Sequence, residues 1–430
     1  MAKTYDTYKD SGIAWIGEIP GDWEVSKMKN IGTYINGYAF KPTDWQNSGK
    51  PIIRIQDLTG SISNSNYYNG DLEEKYLVKK GDILVSWAAT LDAFIWEKEE
   101  EGWLNQHIFK ALPNISVINK HYFFWLVKVA MSEMNNDNKH GIVMQHVTLG
   151  VFNLFKIPLP PLSEQEDIAT CLDKKCGEID SLISIQEEMI SELLAYKQSV
   201  ITEAVTKGLD KKAKMKNSGV EWIGDIPEEW EVKRIKFAAE VWGRIGFRGY
   251  KSEDLNKDGI GAITLSPSNM KSFNMDYSNV TYLSWEKYNE SPEIKIQNGD
   301  ILYVKTGSSY GKACFVENLP REATINPQIL RIVSLINSKY LCYFMQTSSI
   351  KYETECGVVG GTIPTISQEK IKNMFIVAPP LPVQQAIATY LDEKTSQIDS
   401  LIALKQSKIE SLKEYKKSII YEYVTGKKRV

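Results

Sequence analysis

Two stretches of this chain are copies of each other, and their length limits what it can fold into. The first, LPPLSEQEDIATCLDKKCGEIDSLI, begins at Leu159, and the second, APPLPVQQAIATYLDEKTSQIDSLI, begins at Ala378. The offset is constant: Leu162 answers Leu381 and Asp180 answers Asp399, each 219 positions on. An internal repeat decides the architecture before any local propensity does. Pro160-Pro161 and Pro379-Pro380 cannot lie inside a helix, so a helix starts after each pair. Ser163 and Glu166 read as a capping box, and Gly208 as a stop. About 45 residues at about 1.5 Å each make a rod of roughly 65 Å, too long for an ordinary globular helix.

Apolar residues recur along both rods at spacings of three and four. The first carries Leu172, Cys176, Ile179, Ile183, Ile190, Leu193, Val200 and Ala204; the second carries Leu391, Ile398, Ile402, Ile409, Leu412, Ile419 and Tyr423. Such a seam needs a partner helix. Residues 163–207 hold ten acidic and four basic side chains, and residues 382–429 hold six acidic and nine basic. These opposite balances, −6 and +3, favour pairing the two rods with each other, and the intervening domain lets them run antiparallel. Lys197 and Lys416 fall on the seam at equivalent positions. In an antiparallel pair each is expected to extend its charge to water.

A chain of 430 residues allows two to three domains. The net charge of −3 announces no bulk nucleic-acid binder, so any basic surface must be local. No apolar run approaches a membrane span, and the polar start MAKTYDTYKD does not read as a signal peptide. Five scattered cysteines suggest neither a disulfide framework nor a zinc site. Cys171 and Cys176 read as packing residues, and a reducing cytoplasm is the expected setting.

A second repeat opens each half. Ser11-Gly-Ile-Ala-Trp-Ile-Gly-Glu-Ile-Pro20 returns as Ser218-Gly-Val-Glu-Trp-Ile-Gly-Asp-Ile-Pro227, and Trp23-Glu-Val as Trp230-Glu-Val, at an offset of 207. The second intervening stretch is therefore 12 residues longer. The stretches at about 33–156 and 240–376 differ, with weak echoes: Lys80-Gly-Asp-Ile-Leu84 answers Asn298-Gly-Asp-Ile-Leu302, and Asn105-Gln-His107 stands where Asn326-Pro-Gln328 stands later. Pro51–Ile55, Asp82–Ser86 and Asp300–Val304 read as short strands. His121–Ala130 and Lys339–Met345 are apolar enough for core helices. The plan is α+β: a mixed domain over 1–158, a long helix over 159–208, a basic linker over 209–217, a second mixed domain over 218–377, and a second long helix with a basic tail over 378–430.

This plan and its motifs closely resemble the specificity subunit of Type I restriction–modification enzymes. The resemblance rests on Ile157-Pro-Leu-Pro-Pro-Leu162 with Glu164-Gln165, on Pro379-Pro-Leu-Pro-Val-Gln384, on the two Trp-Ile-Gly-(Glu/Asp)-Ile-Pro openers, and on the loops Gly141–Gln145 and Gly360–Pro364. It spans essentially the whole chain. It implies two target-recognition domains, each reading one half of a bipartite, asymmetric double-stranded DNA sequence, in a pseudo-twofold arrangement on a coiled-coil spacer of antiparallel helices. It further implies docking of two methyltransferase (modification) subunits and of restriction endonuclease subunits. The subunit itself would be non-catalytic and would bind no cofactor or metal; S-adenosylmethionine is expected on the methyltransferase subunits. Two rival readings stay open from the residues alone: a coiled-coil scaffold that binds only proteins, and a self-sufficient restriction enzyme.

Chemistry-bearing decoys are weak. Asn326-Pro-Gln-Ile329 faintly resembles an amino-methyltransferase tetrapeptide but lacks its second proline and its aromatic. Asp225 with Glu231-Val-Lys233 faintly resembles a nuclease cluster and reads better as a surface β-hairpin. The four histidines show no metal spacing. DNA contacts need cationic and small polar donors for phosphate, and Arg, Asn, Gln and similar groups for bases. Tyr38, Lys41, Arg54, Gln56, Trp87, Gln106, His107, Gln145 and His146 fit in the first domain. Arg244, Arg248, Tyr250, Lys251, Lys305, Thr306, Ser308, Ser309, Tyr310, Asn326, Gln328 and Thr362 fit in the second. The loop Gly243-Arg-Ile-Gly-Phe-Arg-Gly249 is the best single candidate, because it pairs two arginines with glycines.

Overall fold

The structure, a computed structural model, describes residues 4–60, 65–137, 147–244, 246, 249–256, 258–360 and 363–430. Its contacts divide it into two compact units that cut across the linear order. The first comprises Met1–Glu187 with Ser407–Val430, and the second Glu188–Gln406. Each unit thus holds one mixed domain, half of its own long helix and half of the other.

The first unit carries two four-stranded sheets. One runs Gly32–Asn36, Ile108–Pro113, Ile83–Ser86, Asp92–Ile95, all antiparallel. The other runs Tyr67–Tyr68, Lys50–Ile53, Gly102–Leu104, Leu77–Val78, with Lys50–Ile53 parallel to Gly102–Leu104. Strand Ile83–Ser86 is buried at every position, as expected for an apolar strand covered on both faces. The helix Lys120–Asp137 supplies Tyr122, Phe123, Leu126 and Ala130 to the core, beside Trp23, Met28, Phe109 and Phe152.

The second unit repeats this arrangement. Ala239–Gly243, Ile329–Ser334, Ile301–Val304 and Ala313–Phe315 are antiparallel neighbours. Its sheet continues into Asn274–Met275 and Met270–Lys271, strands without a counterpart in the first unit's sheet among the described residues. The second sheet pairs Ala262–Leu265 in parallel with Ala323–Ile325, matching the parallel pair above. The helix Ser338–Phe344 takes the place of the first core helix and is buried from Tyr340 to Phe344.

The weak echoes between the halves mark shared joints. Asp82 accepts the Lys79 amide at 2.8 Å and Asp300 the Gln297 amide at 2.7 Å. Gly81 and Gly299 follow with φ of +85° and +96°, where an L side chain would strain the backbone. The same carboxylates lie against Lys110 at 3.5 Å and Arg331 at 2.7 Å.

The long helices span Leu162–Lys207 and Leu381–Val424. Gly208, at φ +81°, closes the first, its amide bonded to the Ala204 carbonyl at 3.1 Å. The start differs from the expected capping box. The helix begins before Ser163, and the neighbouring glutamine ties down the proline lead instead. Gln165 Nε2 donates to the Pro160 carbonyl at 2.8 Å while its Oε1 accepts the Asn119 amide at 2.7 Å. Gln384 repeats this with Pro379 at 2.7 Å and Asn337 at 2.9 Å.

Within each unit the helix halves run antiparallel. In the first, Lys175 lies over the Tyr423 ring and Asp180 binds Lys416 at 2.6 Å. In the second, Met189 meets Lys405 at 3.2 Å and Lys197 binds Asp399 at 2.7 Å. Leu172, Ile179, Leu391, Ile398, Ile402, Ile409 and Leu412 are buried, whereas Ile183, Ile190 and Leu193 are half-buried. A two-helix seam leaves its flanks to solvent where no domain covers it. The seam lysines do not extend to water as expected. Each is held by an aspartate of the opposing helix, and the Lys197 side chain is only 9% exposed.

Two further readings are corrected. Residues 215–217 of the linker form a strand, Met215–Asn217, paired with Asp225–Pro227. Glu231–Arg234 pairs with Phe375–Ala378, so Asp225 and Glu231 belong to different ribbons rather than one hairpin. Among the described residues no helix is long and apolar enough to cross a membrane.

Candidate nucleic-acid interface

In each unit some of the candidate residues sit on loops that leave the ends of its central strands. In the first unit Trp87 follows Ile83–Ser86. Its amide donates to the His107 carbonyl at 3.3 Å, and its carbonyl accepts the Val147 amide at 3.1 Å. Its indole N–H reaches the Gln106 carbonyl at 3.1 Å, and its ring stacks on Phe109 at 5.8 Å. In the second unit Lys305 follows Ile301–Val304 in the same way. Its amide donates to the Gln328 carbonyl at 2.8 Å, and its carbonyl accepts the Ile366 amide at 2.9 Å. Asn105 Oδ1 accepts the His107 amide at 3.3 Å, and Asn326 Oδ1 the Gln328 amide at 3.0 Å. One three-segment junction thus presents Trp87 and His107 in one unit and Lys305 and Gln328 in the other.

Around these junctions the candidates divide. His107, Ser308 and Gln328 are exposed; Thr306, Ser309, Tyr310 and Asn326 are half-buried. Lys305 is half-buried, and burial pulls its ammonium below the ordinary lysine range. Gln106 is half-buried with Oε1 turned inward, where it meets no hydrogen-bond donor among the described residues. Tyr38 packs edge-on against Phe40 at 5.0 Å and Tyr76 at 5.7 Å. Lys41 and Gln56 are exposed, and Arg54 is half-buried beside Asp57, which accepts its amide. Tyr250 is half-buried and Lys251 exposed, 3.4 Å from Glu253. Gln145, His146, Arg248 and Thr362 lie outside the described residues.

Arg244 corrects the expectation placed on its loop. It is 7% exposed. Its guanidinium donates to Thr324 Oγ1 at 3.1 Å and to the Ile325 carbonyl at 3.1 and 3.3 Å, and lies over the Tyr250 ring at 5.0 Å. Those bonds tie the end of strand Ala239–Gly243 to Ala323–Ile325, so Arg244 is a joint of the fold rather than a surface reader. A spacing of residues cannot tell a loop arginine that leaves the surface from one that folds back under it. The anchors Val147 and Ile366 were not legible either, because they act through backbone groups. Their separation of 219 residues, the helix offset, was the available signal.

A family model described as the Type I restriction modification DNA specificity domain matches residues 20–194 and 227–414, and the chain belongs to that family. It is similar to the MjaX and MjaVIII specificity subunits of Methanocaldococcus jannaschii. The first, described as putative, is 28% identical over 96% of both chains; the second is 25% identical over 96% of this chain and 94% of the relative. The EcoBI specificity subunit of Escherichia coli is 26% identical, over 91% of this chain and 83% of its own. The fold is shared with a chain solved in work on complex assembly and conformational transition of the type I restriction–modification system: TM-score 0.67, 15% identity, 94% of this chain and 98% of that one.

Proposed function

We propose that this chain is the non-catalytic DNA-reading subunit of a Type I restriction–modification complex, working in the cytoplasm. Each mixed domain reads one half of a bipartite, asymmetric duplex target. The long helices serve as the spacer and as the docking place for two methyltransferase subunits, which bring S-adenosylmethionine, and for restriction subunits. The observation that carries this reading is the repeated junction. Its backbone geometry recurs in both units while its side chains change from Trp87 and His107 to Lys305 and Gln328. A conserved frame with exchanged polar groups suits two different base sequences.

The near-neutral chain neutralises few phosphates alone, so DNA affinity should be low without partners and high with them. Duplexes selected from a random library by the chain, with and without a methyltransferase subunit, test this. A two-part motif recovered only with the partner is expected. DNA cleavage or methylation by the purified chain with magnesium and S-adenosylmethionine would overturn the reading, as would assembly without any sequence preference.

A further inference from the structure

We infer that Lys305 reads a guanine through the major groove in the half-site served by the second unit, at the junction position that Trp87 occupies for the first. This rests on the DNA-reading function proposed above and names the base chemistry at that site.

Lys305 is held through its backbone. Its amide and carbonyl are bonded to two different segments, at 2.8 Å to Gln328 and 2.9 Å to Ile366. Its Cα is therefore fixed from both sides. Other lysines of this unit with partly covered stems find acceptors inside it. Lys370 donates to the Gly357 carbonyl at 2.9 Å, Lys339 binds Asp392 at 2.7 Å and Lys287 binds Glu290 at 3.0 Å. Lys305 has none among the described residues, and desolvation alone acts on its titration. A partly desolvated ammonium without an acceptor costs free energy until one arrives.

A Cβ at Gly243 would stand 2.6 Å from Leu330 Cδ2 and 3.8 Å from Lys305 Nζ, so packing of Leu330 requires the glycine, and the Lys305 ammonium lies beside bare backbone. Gln328, whose carbonyl accepts the Lys305 amide, and Ser308, three residues on, are exposed. A partly desolvated ammonium on a fixed backbone suits an acceptor pair presented in a groove, whereas Lys251 is exposed and lies 3.4 Å from Glu253. In the major groove guanine O6 and N7 form such a pair, and lysine and arginine are the side chains that take it. At the equivalent place Trp87 carries no charge, so the two half-sites should differ at this position.

The test uses the full chain assembled with its methyltransferase subunits, and selection from random duplexes. Wild type should select guanine at one position of one half-site. Lys305→Met, which keeps the stem and removes the charge, should weaken discrimination there by about 5- to 150-fold. The rest of the motif and the salt dependence should stay unchanged. Lys305→Arg should keep the preference, and His107→Ala, at an exposed position, should change only the other half-site. The inference is overturned if Lys305→Met weakens all duplexes alike and lowers the salt slope by about one. It is equally overturned if the affected base is not guanine, or if Lys305 and His107 variants alter the same half-site. No sequence preference in wild type would remove the DNA-reading function itself, and this inference with it.

Discussion

Arg244 and Lys305 are both basic residues at strand ends, and the fold treats them in opposite ways. Arg244 is spent on Thr324 and Ile325. Arg244→Ala should therefore lower stability by about 2–3 kcal/mol, measured by thermal unfolding, while the selected sequence of the folded protein stays the same. Arg244→Lys should not restore it, since a point ammonium cannot replace the planar fork. The seam lysines give a second comparison. Lys197 and Lys416 are repeat partners with the same aspartate partner type, but their side chains are 9% and 21% exposed. Removing the aspartate leaves a more deeply buried charge at Lys197. Asp399 is itself half-exposed, which limits the loss. Asp399→Ala should cost about 1–2 kcal/mol and Asp180→Ala under about 1 kcal/mol. Equal losses would show that burial of the lysine does not set the cost.

At the scale of elements, each core helix is tied to the far end of a long helix by one tyrosine. Tyr122 donates to the Val424 carbonyl at 3.3 Å, and Tyr340 lies 3.0 Å from the Val205 carbonyl and 2.9 Å from that of Val377. Burial pushes both phenols well above their ordinary range, so they stay protonated and able to donate. Tyr122→Phe and Tyr340→Phe should each cost about 0.5–1.5 kcal/mol in denaturant unfolding, since each phenol gives its one proton to buried backbone carbonyl oxygen. These elements were largely legible in the sequence. Proline pairs, glycine stops and spacings of three and four announce helices because they act through local backbone rules. The core helices and central strands were legible from apolar runs alone. The role of Gln165 and Gln384 was not, since it depends on Asn119 and Asn337 arriving from elsewhere. Nor was the fate of Arg244 or of the seam lysines, because each depends on a partner distant in the chain. The candidate site was legible as a set of loops, and its organisation around Trp87 and Lys305 only through backbone bonds.

For the molecule as a whole, what matters is that the first unit is built from two pieces, Met1–Glu187 and Ser407–Val430, with the whole of the second unit between them in the chain. Leu412, Ile419, Tyr423 and Val424 belong to the core that Trp23, Phe109 and Phe123 form. A buried side chain of that size contributes about 2–5 kcal/mol, and a domain has about 5–15 kcal/mol in all. A chain ending at Gln406 should therefore lose the protected structure of residues 4–187 while residues 188–406 keep theirs, which hydrogen exchange read by peptide would separate. The order in which the gene is written is then not the order in which damage is felt. A nonsense codon in its closing stretch would disable the domain encoded first and spare the one encoded next to the lesion.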